Sequence, residues 1–339
     1  MKSIFKSIVI FILSPLVFAC SEETVTISSL LKEMPKKLEL TYYPEKEYKL
    51  KQSSSYNRKT VGIDKEGWYE NSDMSHFIRV EENQGRREFV MFDQDGPGTI
   101  VRWWMTFWRA QNGILRIYMD NDTIPEIEGA PFDVISGQLL APEPLSQSLP
   151  AEAPIEERGH NLYLPIPYSK HCKVTYECDS LRPKEHYYWP DVFYNICYRE
   201  YDTDVMVESF SLESLQEAEE ELSHTNRKLL EDFSSTGIAR SFDQELKPGD
   251  SVILFFDGEQ NAIDFLSLQL ISDDPDQALR STVISASFDS QQSIWVPVGE
   301  FFGTGFQMNP HKTFANQTDK SAMMISSWIM PFKELCKVY

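Results

Sequence analysis

Two stretches of the chain read almost alike, and their spacing constrains the fold more than any other feature. IPYSKHCKVTY runs over residues 166–176 and IMPFKELCKVY over residues 329–339. The same distance of 164 residues separates several matched pairs: Pro167 and Pro331, Cys172 and Cys336, Phe92 and Phe256, and Leu115 and Leu279. The distance becomes 169 for Asp120 and Asp289, as a longer loop in one copy would produce. A spacing kept in order along the chain indicates an internal duplication.

Both copies have the pattern of β-strands. In VRWWMTF (101–107), Trp103, Met105 and Phe107 alternate with polar or solvent-facing neighbours, which is the two-residue period of a strand with one apolar face. Turn sequences such as DGPG and KPGD separate the runs. We therefore predict an all-β fold of two related jelly-roll units, over residues 46–205 and 246–339.

A linker region over residues 206–245 separates the two units and is predicted to contain one helix, over residues 212–233. Its leucines form a single apolar stripe above acidic faces, and we expect the helix to hold the two β units together.

The first copy continues beyond the repeated stretch, through YYWPDVFYNICYREY (187–201), where Val192, Tyr194 and Ile196 alternate like a core strand. A counterpart 164 residues later would begin near position 351, outside the 339 residues of the sequence. We expect the second unit to be incomplete at its C-terminal end, with an unpaired edge, unless another chain supplies the strand.

The N-terminus has the pattern of a bacterial export signal. Two lysines precede an apolar run, and VFAC (17–20) resembles a lipobox, which predicts a signal peptide over residues 1–19 and lipidation of Cys20. Residues 20–45 are then a tether and lead-in. The acidic residues after Cys20 resemble a surface-export tag, or else a solvated tether. We expect an outer-membrane lipoprotein, which the surface-export interpretation places at the cell surface, with ordinary secretion as the alternative.

Charge and cysteine usage exclude several classes. A net charge of -20 repels nucleic acid and anionic lipid, so no nucleic-acid partner is expected. The cysteines beyond Cys20 lie at 172, 178, 197 and 336. Their spacing suits buried thiols, although disulfide pairings other than 172 with 178 remain open. The sequence has no spacing typical of a metal site, and neither a metal nor a cofactor is expected.

The sequence contains no nucleophile elbow and no phosphate-binding loop. It does contain carboxylates beside aromatic residues, which are the residue types that sugar hydrolysis uses. One candidate cluster contains Tyr56, Asn57, Arg58 and Trp68, with a plain polar loop as the alternative. A second cluster, in WVPVGEFFGTG (295–305), carries the candidate substrate-binding residues Glu300, Phe301 and Phe302. Its glycines are expected to serve turns. Trp104 and Trp108 could stack on sugar or be covered by other protein.

Ordered motifs across residues 28–339 resemble the N-terminal part of glycoside hydrolase family 172. They are LLKEM, QSSSYNRK, FDQDGPGTIVRWWMT, LRIYMD, LYLPIPYSKHCKVTYE, ALRSTV, WVPVGEFFGTG and WIMPFKELCKVY. The resemblance implies paired jelly rolls, assembly as a homo-trimer or homo-hexamer, and activity on arabinofuranoside- or fructofuranoside-type carbohydrate.

The sequence also departs from that family. No Gly-Thr-Glu-Asp motif, which carries one of the family's catalytic glutamates, occurs in residues 1–339, so the catalytic residues stay unknown. Asn57 and Glu300 each stand where the family usually has Asp. The hypothesis from these observations is a truncated member that lacks the catalytic segment. The alternatives are a glycan-binding lipoprotein that keeps Tyr56, Arg58 and Trp68 as a platform, and half of a split glycosidase.

Overall fold

The computed structural model describes residues 24–70, 72–108, 110–184, 187–235, 237–259 and 261–339. The predicted signal peptide and Cys20 lie outside them. The first unit is built from thirteen strands: β1 (Tyr48–Ser54), β2 (Arg79–Asn83), β3 (Arg86–Asp95), β4 (Gly98–Phe107), β5 (Ile114–Met119), β6 (Ile127–Gly129), β7 (Ser146–Leu149), β8 (Gly159–Leu162), β9 (Ile166–Tyr168), β10 (His171–Glu177), β11 (Leu181–Lys184), β12 (Tyr187–Pro190) and β13 (Val192–Tyr201).

Two larger antiparallel sheets and a separate β11-β12 pair form the first unit where the structure describes it. One has the order β1-β13-β4-β8-β7, with β9 also pairing β4, and the other has the order β2-β3-β10-β5-β6. The predicted alternation in β4 is confirmed from Trp103 to Phe107, because Trp103, Met105 and Phe107 are buried while their neighbours reach the other face. It is wrong for Val101, the first residue of the VRWWMTF run, which is half-buried where the ladder with β13 shifts register. In β13, Val192 and Ile196 point into the same core.

The second unit has ten shorter strands: β14 (Leu254–Asp257), β15 (Asn261–Ile263), β16 (Leu266–Gln269), β17 (Val283–Phe288), β18 (Gln291–Pro297), β19 (His311–Lys312), β20 (Asn316–Thr318), β21 (Met323–Ser326), β22 (Met330–Phe332) and β23 (Leu335–Val338). They form sheets of order β14-β23-β17-β18 and β16-β21-β20-β19, and a β15-β22 pair. Within each unit, every ladder that joins two of these strands is antiparallel across the described ranges, so the all-β fold is confirmed.

The helices are α1 (Ile27–Glu33), α2 (Pro131–Ile135), α3 (Leu212–Glu217), α4 (Glu219–Leu230), α5 (Pro275–Ser281) and α6 (Val298–Phe302). The single helix predicted over residues 212–233 is wrong in detail, because the chain leaves helical geometry at Ala218 and α4 ends at Leu230. No helix in the described ranges is long and apolar enough to cross a membrane.

The duplication is visible in the strands themselves. β8 and β21, β9 and β22, and the starts of β10 and β23 are each 164 residues apart. At the corner before the last pair, Asp120 and Asp289 both adopt positive φ, 52° and 47°. Asp120 accepts a hydrogen bond from the backbone N–H of Lys170 at 2.8 Å, and Asp289 accepts one from Lys333 at 2.7 Å. In both copies, therefore, an aspartate carboxylate fixes this corner by accepting a hydrogen bond from a backbone N–H.

One proposed match does not hold. Leu115 lies in strand β5, whereas Leu279 lies in helix α5. Helix α5 occupies the connection between β16 and β17, which is longer than the connection between β4 and β5 in the first copy. The change of spacing from 164 to 169 therefore belongs to this insertion.

Helix α4 packs on α1 and reaches both units. The hydroxyl of Thr225 donates to the carbonyl of Leu31 at 2.9 Å, and Leu222 and Leu229 join the core of the first unit. At the end of α4, the carbonyl of Leu230 accepts a hydrogen bond from the Lys312 ammonium of the second unit at 3.0 Å. These contacts agree with the predicted clamping role.

Candidate functional site

The first candidate cluster lies on the loop that follows β1, over residues 55–73. Ser55 fixes the start of this loop, because its N–H donates to the carbonyl of Tyr194 at 3.0 Å and its hydroxyl accepts from the Tyr194 N–H at 3.1 Å. The Tyr194 hydroxyl donates to the carbonyl of His76 at 2.8 Å. Burial raises the pKa of Tyr194 and Arg58 opposes the shift, so this phenol remains a hydrogen-bond donor.

Arg58 organises the loop from within. Its guanidinium donates to the carbonyls of Tyr56 at 2.8 Å, Ser54 at 2.8 Å and His76 at 3.2 Å, and it lies 3.9 Å from the centre of the Tyr56 ring. Three backbone acceptors and one aromatic face hold the cation in place. The structure therefore gives Arg58 a role in shaping the loop and supporting the Tyr56 ring.

Asn57 is buried under the same loop. Its N–H donates to the carboxylate of Asp73 at 2.8 Å, and its side-chain oxygen accepts from the N–H of Lys59 at 3.1 Å. The side-chain amide of Asn57 therefore faces the interior of the loop, and the Asp73 carboxylate lies beside the backbone N–H of Asn57.

The outer part of the loop presents aromatic rings. Val61 N–H donates to the carbonyl of Trp68 at 3.0 Å, which closes the loop into a hairpin-like arch. The rings of Trp68 and Tyr69 meet edge to face at 5.7 Å. Trp68 and Tyr69 are 43% and 62% exposed and Tyr56 is 48% exposed, so all three offer ring surface to a ligand.

The second candidate cluster lies on helix α6, in the other unit. Glu300 is half-exposed and forms an ion pair with Arg280 of α5. Phe302 is fully buried in the core of the second unit, and the half-buried Phe301 ring meets it edge to face at 5.0 Å. Phe302 is therefore a core residue, Phe301 packs partly against the same core, and Glu300 is at the surface of α6.

The turn after α6 follows the predicted glycine pattern. Gly303 and Gly305 have φ of 80° and 74°, which a side chain would strain. Helix α6 packs on β17, β18, β20 and β21 of its own unit, whereas the hydrogen bonds that anchor the 55–73 loop are made with residues of the first unit. The substrate-binding roles of the residues in both clusters stay predictions.

Trp104 and Trp108 point away from the core, as predicted from their alternation. Trp104 is half-buried over Gly159, where a Cβ would lie 2.7 Å from the indole nitrogen, and Trp108 is 55% exposed. Other parts of the protein therefore cover Trp104 more than they cover Trp108.

A cleft of about 950 Å³ lies between α1, α4 and the second unit, and the sequence analysis did not predict it. Lys37 spans it, donating to the Ser327 hydroxyl at 2.6 Å and lying 4.5 Å from the centre of the Phe233 ring. Burial, with a smaller contribution from Lys312, lowers the pKa of Lys37. No local pattern could have found this cleft, because three distant segments form it.

In the described ranges, no three His, Cys, Asp or Glu side chains are grouped so that they could hold a metal ion. The four cysteines within the described ranges, Cys172, Cys178, Cys197 and Cys336, are free thiols with no disulfide among them.

Comparison with known protein families gives two matches that cover most of the chain. Residues 46–218 match the GH172 first β-sandwich domain, and residues 237–339 match a GH172 domain-like region. A search of curated proteins finds no match. The matched regions contain the 55–73 loop and helix α6, respectively. The chain therefore belongs to glycoside hydrolase family 172, whose name indicates a carbohydrate substrate.

Proposed function

We propose that this chain is a lipid-anchored, carbohydrate-binding member of its family, that it recognises furanoside-type glycans, and that residues 1–339 do not supply the catalytic glutamates. The observation that carries the proposal is the 55–73 loop, in which exposed rings stand on a framework of backbone hydrogen bonds. Residues 1–339 contain no Gly-Thr-Glu-Asp sequence, so the proposal assigns these residues a role in recognition.

The loop suits sugar because an aromatic ring can stack on the C–H face of a furanose while its polar edge accepts or donates hydrogen bonds. Tyr56 is stiffened by the stacked Arg58 guanidinium, and Trp68 and Tyr69 brace each other edge to face. A site made of preordered rings loses little conformational entropy when a ligand binds.

The proposed location is the outer membrane, with Cys20 as the lipid-bearing residue and the β units exposed at the cell surface. The signal-like residues 1–19 and the lipobox resemblance support this proposal. Assembly as a homo-trimer or homo-hexamer is part of the same proposal and is supported only by the family resemblance.

The test uses the full-length lipoprotein in detergent and measures binding to arabinan- and inulin-derived oligosaccharides by calorimetry. We expect Trp68→Ala to weaken binding about tenfold, since removing most of an exposed indole contact corresponds to roughly 1.4 kcal/mol. Tyr43→Ala is the matched control, because Tyr43 is 99% exposed and lies outside the loop. Unchanged affinity in Trp68→Ala, or no binding by the wild type, contradicts the proposal.

A second candidate function is that this chain forms one half of a split glycosidase, and one observation favours it. In the first unit β4 pairs with β13 on one side and with β8 and β9 on the other. In the second unit the corresponding β15 and β16 pair with β22 and β21, and across the described ranges their other side has no strand. An unpaired edge of this kind can accept a strand from another chain.

A pull-down with the anchored chain tests this candidate. A partner that carries a glycosidase glutamate motif, and that hydrolyses an arabinofuranoside only together with this chain, is the expected result. Purification of the chain alone from its native membrane, without such a partner, counts against the split enzyme.

A further inference from the structure

On the outer face of the sheet β2-β3-β10-β5-β6 in the first unit, the charged side chains bind to one another and to neighbouring hydroxyl groups. Glu88 is fully buried and accepts hydrogen bonds from the Tyr118 hydroxyl at 2.9 Å and the Thr175 hydroxyl at 2.7 Å. Arg116 is buried and donates to Glu128 at 2.6 Å. Donors and acceptors on this face therefore satisfy each other, and the face offers little to a ligand.

The same positions in the second unit carry different chemistry. Since the offset after the α5 insertion is 169, Ser285 replaces Arg116 and Ser287 replaces Tyr118. The partner of Arg116 across the ladder is Glu128, and the partner of Ser285 is Trp295. Where the first copy has a network of charged side chains, the second copy therefore has small hydroxyl groups and an indole ring.

The aromatic rings of this second face are open to solvent. Trp295 is 71% exposed at one side of the sheet β14-β23-β17-β18, and Phe255 is 46% exposed at the other. Three strand spacings of about 4.8 Å separate the strands that carry them, or roughly 14 Å, which is the length of a short oligosaccharide. Tyr339, which pairs through its backbone with Ser285, is 41% exposed between them.

Polar groups lie between the rings. The Gln292 amide donates to the Ser285 hydroxyl at 3.2 Å, and a shallow depression of about 370 Å³ opens against residues 292–295. Lys337 is the charged residue at the centre of the face, 5.7 Å from the centre of the Phe255 ring. The face therefore combines stacking surfaces with hydroxyl, amide and ammonium groups.

We propose that this outer face, formed by Phe255, Lys337, Ser285, Ser287, Gln292 and Trp295, is a second carbohydrate-binding platform for a neutral oligosaccharide. Its chemistry is complementary to an uncharged polyol, since the rings can stack on C–H faces and the polar groups can bind hydroxyls. A polyanion is disfavoured by the net charge of -20. The platform shares only its ligand class with the proposed function and uses different residues.

The experiment labels the full-length lipoprotein with 5-fluorotryptophan and records its fluorine NMR spectrum in detergent. The seven tryptophans give separate probes, and Trp295→Phe, Trp68→Phe and Trp328→Phe assign three of the resonances. Tetrasaccharides from arabinan, inulin and a β-glucan are added in turn. Trp328 is the matched control because it is 54% exposed in the same unit but lies outside the platform.

We expect at least one tetrasaccharide to shift the Trp295 resonance and leave Trp328 in place. Trp295→Ala should weaken the affinity at this site about tenfold, because stacking covers roughly 60 Å² of ring. A Trp295 resonance that none of the sugars shifts overturns the platform. A shift that depends on protein concentration alone also overturns it, because it indicates contact between two copies of the chain.

The Trp68 resonance reports the proposed function in the same spectrum. Movement of Trp68 with a stationary Trp295 supports the loop and refutes the platform, and the reverse result supports the platform and refutes the loop.

Discussion

Removing the Glu88 carboxylate is expected to destabilise the first unit strongly. Its oxygens accept hydrogen bonds from Tyr118, Thr175 and the Arg86 guanidinium, at 2.9, 2.7 and 3.0 Å, in a position without solvent access. In a Glu88→Ala variant these donors lose their acceptor, and the loss of one partner from a buried charged group costs about 3–5 kcal/mol. That is a large part of the ~5–15 kcal/mol by which a domain is stable.

Hydrogen exchange read by mass spectrometry measures this cost locally, since peptides from β3, β5 and β10 report the first unit and peptides from β17 and β23 report the second. Glu88→Gln keeps one acceptor oxygen and should cost less than Glu88→Ala. Glu82→Ala, on the neighbouring strand and exposed, is the control and should change stability by about 0.5 kcal/mol or less. A Glu88→Ala variant as stable as the Glu82→Ala control would refute the reasoning.

Three further predictions concern pH, thiols and a close backbone contact. Burial lowers the pKa of His160 to about 4, so the unfolded chain binds a proton that the folded chain does not, and stability should decrease as pH falls from about 6.5 towards 4. Unfolding at pH 7 and pH 5 measures this dependence, which should be flatter in His160→Gln. A thiol reagent should react quickly with one cysteine of the four, the half-buried Cys197, and with the other three only after unfolding. They are Cys172, Cys178 and Cys336, whose pKa burial raises. A Cys197→Ser variant in which Cys172, Cys178 or Cys336 still reacts quickly in the folded protein contradicts this assignment. Finally, Gly299→Ala should lower the melting temperature of the second unit, because the added Cβ would collide with the Gly305 carbonyl, and an unchanged melting temperature would contradict the contact.

The sequence predicts much of the strand framework because its signals are local. Alternation in β4 and β13 needs only a two-residue period, and the duplication needs only a constant spacing. The break of the linker helix at Ala218 could not be predicted, since alanine favours helix and the break reflects packing of α4 on α1. The spacing of 164 matches Leu279 of helix α5 with Leu115 of strand β5, so matched residues alone do not predict a helix in the second copy.

The candidate site was harder to predict because backbone acceptors and burial are not visible in residue types. The sequence offers Arg58 as a cation for a ligand, but three carbonyls that meet only in the fold bind its guanidinium. In the same way, the pair Phe301 and Phe302 does not show which ring faces the core, since helix α6 is a little over one turn long. The contrast between the outer faces of the two units could be found only after the sheet registers were known.

The corners at Asp120 and Asp289 have a consequence for how a duplicated chain can acquire new properties. Each carboxylate fixes the start of the following strand through backbone N–H groups, so the geometry of this corner is set without the side chains of the outer face. Mutations on that face can then accumulate in one copy without shifting its strands, while the other copy keeps its original surface. Grafting the outer-face residues of β5 onto β17 should therefore be possible without redesigning either turn, and such a graft would show whether the two copies are interchangeable scaffolds.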